Sequence, residues 1–190
     1  DPSAGWEAVS DQFMAIRSQI GAALVCAWAK DRFPGSAAIL DIGCGSGVPI
    51  ARALVDCGFS VWGVDASPSL VAAYRRALPE MPAACEPAQD SPFFGRTFVG
   101  AVAIGLLFLL DEGEQRKLLT NVANVLEPGG RFLFSAPREI CHWNDALTAR
   151  TSMSLGEHAY SEHLASVGLR LDGCRCDEGG NNYYEAVKSL

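Results

Sequence analysis

Three glycines spaced two apart, Gly43-Cys-Gly-Ser-Gly47, separate an apolar run, Ala37 to Ile42, from a helical stretch, Val48 to Cys57. Glycines at such a junction permit a tight turn and let another molecule approach the main chain closely. A short, fully apolar run entering that turn reads as a parallel strand buried on both faces. Parallel neighbours need crossover helices, and the chain supplies both. Phe59 to Val64 reads as a second strand, ended by Asp65. Ser67-Pro68 opens a helix to about Leu78, which Pro79 and Pro82 break before a short strand near Ala84. Further strands are expected at Phe98 to Ile104 and Arg131 to Ser135. Between them lies a helix from Asp111 to Leu126 with Leu118, Leu119, Val122 and Val125 inward, then a sharp turn at Glu127-Pro-Gly-Gly130. Glu157 to Val167 is a helix ended by Gly168. Leu169 to Arg175 and Tyr183 to Lys188 are strands joined across Glu178-Gly-Gly-Asn-Asn182, so one of them runs antiparallel. Upstream, Phe13, Ile16, Ile20, Leu24 and Ala27 recur at three to four, predicting one amphipathic helix from about Ser10 to Lys30. This alternation gives an α/β fold: seven strands in a mostly parallel sheet, helices on both faces, and an antiparallel last strand. No repeat, low-complexity tract or linker divides residues 1–190, which read as a single domain.

A glycine loop after a strand serves dinucleotides as well as other nucleosides. Here the third glycine comes one residue early for a Gly-x-Gly-x-x-Gly dinucleotide loop, and Val48 stands where that loop wants glycine. Asp41 lies two residues before the first glycine, where it would repel a pyrophosphate and attract a ligand bearing a free ammonium. Asp65 ends the second strand about 20 residues on, where a carboxylate can accept two ribose hydroxyls. An NAD(P)-dependent oxidoreductase is therefore the second reading, disfavoured by the loop. A cofactor-binding module without catalysis is the third.

Composition narrows the partners. The chain is 49% hydrophobic and 19% charged, with a net charge of −7, which argues against a broad footprint for nucleic acid or an anionic membrane. The most apolar stretch, Val99 to Leu110, is too short to span a bilayer, and no signal-peptide pattern is visible. Seven cysteines without a Cys-x-x-Cys pair read as reduced thiols in a cytoplasmic protein. Cys174-Arg-Cys176 on a strand would turn two thiols to one face, but no matching His or Cys motif makes a metal site of them, and no metal is expected.

Three motifs in order resemble the class I S-adenosylmethionine-dependent methyltransferases, specifically the small-molecule type of bacterial methyltransferase domain. They are Ile39-Leu-Asp-Ile-Gly-Cys-Gly-Ser-Gly47, Val61-Trp-Gly-Val-Asp-Ala-Ser-Pro68 and Val125-Leu-Glu-Pro-Gly-Gly-Arg-Phe132. The resemblance covers nearly the whole chain. It implies a Rossmann-like, doubly wound sheet and S-adenosylmethionine (SAM) as cofactor, leaving as S-adenosylhomocysteine (SAH). It implies that Asp41, Gly43, Cys44 and Gly45 surround the methionine part, that Asp65 holds the ribose, and that Ala66 and Ser67 lie against the adenine. The adenine edge falls to Gln89 and Asp90, with Glu86 and Ala88 as alternatives in register. Ile104 and Gly105 border the reacting methyl. Phe98-Val99 departs from the Phe-Asp the family often carries there.

The N-terminal segment, residues 1–34, is expected to cover the cofactor, with Arg17 the nearest cation for its carboxylate. Residues 137–156 lack a clean period and carry Arg138, His142, Trp143, Asn144 and Asp145, so they are expected to recognise substrate. Arg138, His142 and Trp143 are the candidate contacts, and His142 the one candidate catalytic side chain. His158, His163 and Tyr160 read as structural or solvated. The Ile104-Gly-Leu-Leu-Phe-Leu109 segment lacks the Asn/Asp-Pro-Pro-Tyr and Pro-Cys signatures of nucleic-acid methyltransferases, which with the acidic charge favours a small-molecule acceptor. Neither the acceptor atom nor an oligomeric state is set by these residues.

Overall fold

Strand β1, Ala38–Ile42, lies inside the sheet, paired in parallel with β2, Ser60–Asp65, on one side and β4, Phe98–Ala103, on the other. The computed structural model describes residues 1–190. Beyond β2 lies β3, Ala83–Cys85; beyond β4 come β5, Leu126–Ser135, then β9, Asn182–Lys188, and β8, Leu169–Cys176, giving the order β3-β2-β1-β4-β5-β9-β8. Only β9 runs against its neighbours, β5 and β8. This is the expected seven-stranded sheet, with the last strand inserted between two that are parallel to the rest.

Alternation along the strands builds a core on each face. Leu40 and Ile42 point with Val64, Phe132 and Phe134 toward helices α5, Glu112–Val125, and α6, Gly156–Ser166. Ile39 points with Val61 and Leu133 toward α2, Ala22–Arg32, α3, Ile50–Asp56, and α4, Pro68–Ala77. Asp41 therefore lies on the α2–α4 side, at the strand's carboxyl end. The sequence also fixes where helices start. The Ser67 side chain accepts the Leu70 N–H at 3.2 Å, with Pro68 in the first turn of α4. Asp111 and Glu114 exchange hydrogen bonds at 2.8 and 3.2 Å to cap α5.

Four expectations are corrected. The single helix from Ser10 to Lys30 is two: α1, Ser10–Ile16, and α2. The chain leaves the helix at Arg17 and restarts after Gly21, whose φ is +85° and whose missing Cβ would sit 2.2 Å from the Tyr183 hydroxyl. Only glycine fits there, and the break leaves Ile16 61% and Ile20 41% exposed rather than buried. The Glu127–Gly130 turn is absorbed into β5 as an irregularity opposite Phe98–Gly100. Residues 137–156, without period in the sequence, contain a separate hairpin of β6, Cys141–Asn144, and β7, Thr151–Ser154. Finally, not all thiols are free: Cys26 on α2 and Cys57 at the end of α3 form a disulfide, and the other five are unpaired. No helix is long and apolar enough to cross a membrane.

Candidate active site

All three loop glycines take positive φ, +72° at Gly43, +55° at Gly45 and +83° at Gly47, which side-chain-bearing residues rarely adopt. The turn is pinned to β2 from below, where Val64 O accepts the N–H groups of Gly43 and Cys44 at 2.8 and 3.1 Å. It is pinned from the side by Asp65, whose two oxygens accept from Gly45 N and Ser67 N, each at 2.9 Å. A Cβ on Gly47 would meet the Tyr74 ring at 2.9 Å, so that glycine is also required by packing.

Above the loop opens a cavity of about 750 Å³ at the carboxyl ends of β1, β2 and β4, where ligands of open parallel sheets bind. Asp41 stands in its wall, 2% exposed, with Oδ2 lacking any hydrogen-bond partner. Burial first, then the charge of Asp65, pushes its carboxyl up to about 7, against the pull of Arg17. Arg17 is the complement: its Nε is buried without a partner, and burial holds its pKa down while Asp41 opposes the shift. Its guanidinium lies over the Phe13 ring, 5.2 Å from the centroid, and the Phe13 ring stands 3.4 Å from where a Cβ of Gly45 would be. Trp6 meets Phe13 edge to face at 5.3 Å. This strap is fastened by Glu7, which accepts from the hydroxyls of Ser67 and Ser69 and from Ser69 N. Those bonds hold the Glu7 carboxyl below its usual range.

Of the residues expected at the cofactor, Arg17, Asp41, Gly43, Cys44, Gly45, Asp65, Ala66, Gln89, Asp90, Ile104 and Gly105 all line this cavity. Ser67 does not. It is fully buried, and its hydroxyl is spent on capping α4 and bonding Glu7. Ala88 lines the cavity and Glu86 does not. The polar ends of Gln89 and Asp90 are engaged with α5, through Glu114 and Lys117. Leu106, next to Ile104 and Gly105 in the loop expected at the methyl, lines it too, and Trp6, Phe13, Leu70, Leu109, Glu114 and Arg150, which sequence reasoning missed, also face the cavity. Phe13 carried a signal, an aromatic on the apolar stripe of the N-terminal segment, but that period does not tell a cavity wall from a core face.

A second cavity, of about 650 Å³, adjoins the first, and Arg17, Ile104 and Gly105 belong to both. Gly105, at φ +76°, donates its N–H to Ser135 Oγ at 2.7 Å, and a Cβ added there would meet nothing within 4 Å. The junction is therefore open. Arg138 and Trp143 line this second cavity, Arg138 also pairing with Glu157. His142 lines neither cavity: alternation along β6 turns it away from Trp143, to solvent. Asn144 is likewise exposed, and Asp145 holds the hairpin tip by accepting from Leu147 N, Thr148 N and Thr148 Oγ1. His158 pairs with Glu162 in solvent, His163 bonds Arg116 O, and Tyr160 is a core residue bonded to Gln115.

Residues 39–130 match the protein family described as Methyltransferase domain. No curated protein matches the chain in sequence. Several solved structures share the fold. One is a 1,6-didemethyltoxoflavin N1-methyltransferase from Burkholderia thailandensis with SAH bound: TM-score 0.75, 17% identity, covering 97% of this chain and 84% of that one. A TehB-like SAM-dependent methyltransferase from Corynebacterium glutamicum gives 0.73 at 21% identity, covering 96% and 99%. A SAM-bound amino pentose methyltransferase from Micromonospora echinaspora gives 0.73 at 16%, covering 95% of each chain. The motifs and this family match thus identify residues 39–130 as a methyltransferase domain, carried on the fold that these SAM- and SAH-bound methyltransferases share.

Proposed function

We propose that this methyltransferase acts on a small-molecule acceptor held in the second cavity, with SAM in the first. The observation that carries the reading is a pair of cavities meeting at Ile104 and Gly105, one of them holding a buried, partnerless carboxylate and a buried, partnerless guanidinium nitrogen. Buried charged groups without partners are costly, and the amino-acid end of SAM carries their complements. In this reading Asp41 takes the ammonium and Arg17 the carboxylate. Asp65 keeps a second lone pair on each oxygen for the ribose hydroxyls. Ala66, Ala88 and the neighbouring backbone flank the adenine. Solved neighbours whose names specify small acceptors, such as the didemethyltoxoflavin enzyme, support the acceptor class.

When bound, SAM supplies a methyl on a sulfonium, a leaving group already activated. The protein then has to align the acceptor at Gly105 and keep water out, and alignment alone can supply several kcal/mol. The strap of Trp6, Phe13 and Arg17 supplies the exclusion. Five of the seven cysteines are unpaired, and on that majority we place the reaction in the cytosol, with the Cys26–Cys57 disulfide the one feature that argues the other way.

Calorimetric titration with SAH and with NADH tests the cofactor reading. Saturable SAH binding and none of NADH is expected, and the reverse would overturn it. Transfer of labelled methyl from SAM to members of a metabolite panel tests the acceptor class; label appearing only on protein or nucleic acid would overturn that.

A further inference from the structure

The walls of the second cavity narrow the acceptor beyond size. Three aromatic side chains line it beside Ile20, Ile104 and Ala136: Phe108 and Trp143, which pack against each other with centroids 5.3 Å apart, and Tyr183 near the start of β9. The Phe108–Trp143 wall is built from two separate elements, the turn after β4 and strand β6, so its shape depends on the hairpin docking where it does. Flat rings bury well against such walls.

The charged groups of the same cavity are Arg17, Arg138, Glu139 and Asp177. The one buried carboxylate among them is already engaged. Asp177 is filled: it accepts from Gly179 N, from the backbone and side-chain N–H groups of Asn181, and from the Tyr183 hydroxyl at 2.9 Å. Against the push of burial, those bonds hold its carboxyl below the usual range, so it is an anchor for the turn and a poor base. Tyr183 gives its proton to that bond, and its own pKa is raised, by burial first. Glu139 is exposed to water, and Arg138 is paired with Glu157. An alcohol, which must lose its proton as it attacks, finds no buried, unengaged carboxylate or imidazole in this cavity to take it.

Resting on the two-cavity reading above, we infer that the acceptor is an uncharged, planar nitrogen heterocycle, seated against Phe108 and Trp143, that presents a ring-nitrogen lone pair at Gly105. The step balances without a base. The lone pair forms the N–C bond to the methyl, and the S–C pair returns to sulfur, leaving neutral thioether SAH. The positive charge passes to the ring, which sheds a proton to water afterwards if it has one on nitrogen.

The test uses the full chain loaded with SAH. Quinoline, benzimidazole and 4-aminopyrimidine are titrated calorimetrically into it beside catechol and cyclohexanol, and the same compounds are offered with tritiated SAM. Heterocycle binding and label on ring nitrogen are expected. Trp143→Ala should raise the dissociation constant of the best heterocycle about tenfold, the value of one aromatic contact, while leaving SAH affinity within about twofold. Phe108→Leu, which keeps the apolar fill, should weaken the same binding and serves where the first variant does not fold. Label confined to catechol or cyclohexanol, no heterocycle bound or labelled although SAH binds, or heterocycle affinity unmoved in both variants, each overturns the inference alone. Failure of SAH itself to bind overturns the cofactor reading beneath it.

Discussion

Asp41 and Arg17 face one cavity without bonding each other: the Oδ2 of the one and the Nε of the other are buried and partnerless. Two opposite charges close enough to shift one another's titration, yet left unpaired, suit a ligand that bridges them better than they suit the empty protein. Asp41→Asn should therefore separate stability from binding. At pH 8 the free variant should be more stable than the parent by a few kcal/mol. Each unit between a folded and an unfolded pKa is worth about 1.4 kcal/mol, and Asp41 is raised to about 7. SAH affinity should fall by roughly 1.5–3 kcal/mol, the worth of a charged hydrogen bond. Urea unfolding and calorimetry read the two effects; a variant less stable than the parent at pH 8 would contradict the assignment.

The same carboxyl sets a pH dependence. Its pKa is about 7 in the folded chain and near 4 unfolded. The folded state thus holds the proton more tightly, and the stability from that preference is present below pH 4 and lost as pH rises through 7. Binding runs the other way, because an ammonium pairs only with the carboxylate. SAH affinity of the parent should fall as pH drops below 7, by up to about tenfold per pH unit, and the slope should vanish in Asp41→Asn.

Asp65 carries two duties, tying Gly45 N and Ser67 N in the free protein and facing the cavity. Asp65→Ala should weaken SAH by about 2 kcal/mol and also loosen the glycine loop. Faster amide exchange at Gly45 and Ser67 would report the second effect; unchanged SAH affinity would mean that the ribose is held elsewhere.

Glu7→Gln should release the strap. Three hydrogen bonds to Ser67 and Ser69 end on that one carboxylate. Exchange of the amides of residues 3–16 should accelerate, and SAH should dissociate faster, with the core of the sheet unaffected. Protection unchanged in that segment would show that Trp6 and Phe13 hold it by themselves.

Replacing Cys26 and Cys57 together by serine opens a loop spanning 31 positions of sequence. Stability should fall by about 2–4 kcal/mol, most of it through a freer unfolded chain, while SAH affinity holds, since neither cysteine lines the cavity.

What was legible in the sequence was local. Gly43, Gly45, Asp41 and Asp65 declare themselves by spacing within two strands and a turn, and all four line the first cavity, whereas its Trp6, Leu70, Leu109 and Arg150 do not follow from that spacing. Ser67 was misread for an instructive reason: a Ser-Pro at a helix start is also a capping signature, and the hydroxyl cannot serve both. The break at Gly21 was invisible because its cause, the Tyr183 hydroxyl, arrives from the far end of the chain. Phe108 against Trp143 and Cys26 against Cys57 are likewise contacts between distant segments. Single-sequence periodicity carries no trace of these.

The reversed strand β9 has a consequence for how such an enzyme changes. Because it runs backwards between β5 and β8, its first residues, Asn182 and Tyr183, come out at the edge where the parallel strands end. The first cavity is lined mostly by residues 39–114, and much of the second by residues 135–183. A turn lengthened after Cys176, or a hairpin rebuilt around Trp143, would reshape the second cavity while the glycine loop and its two acids stay as they are.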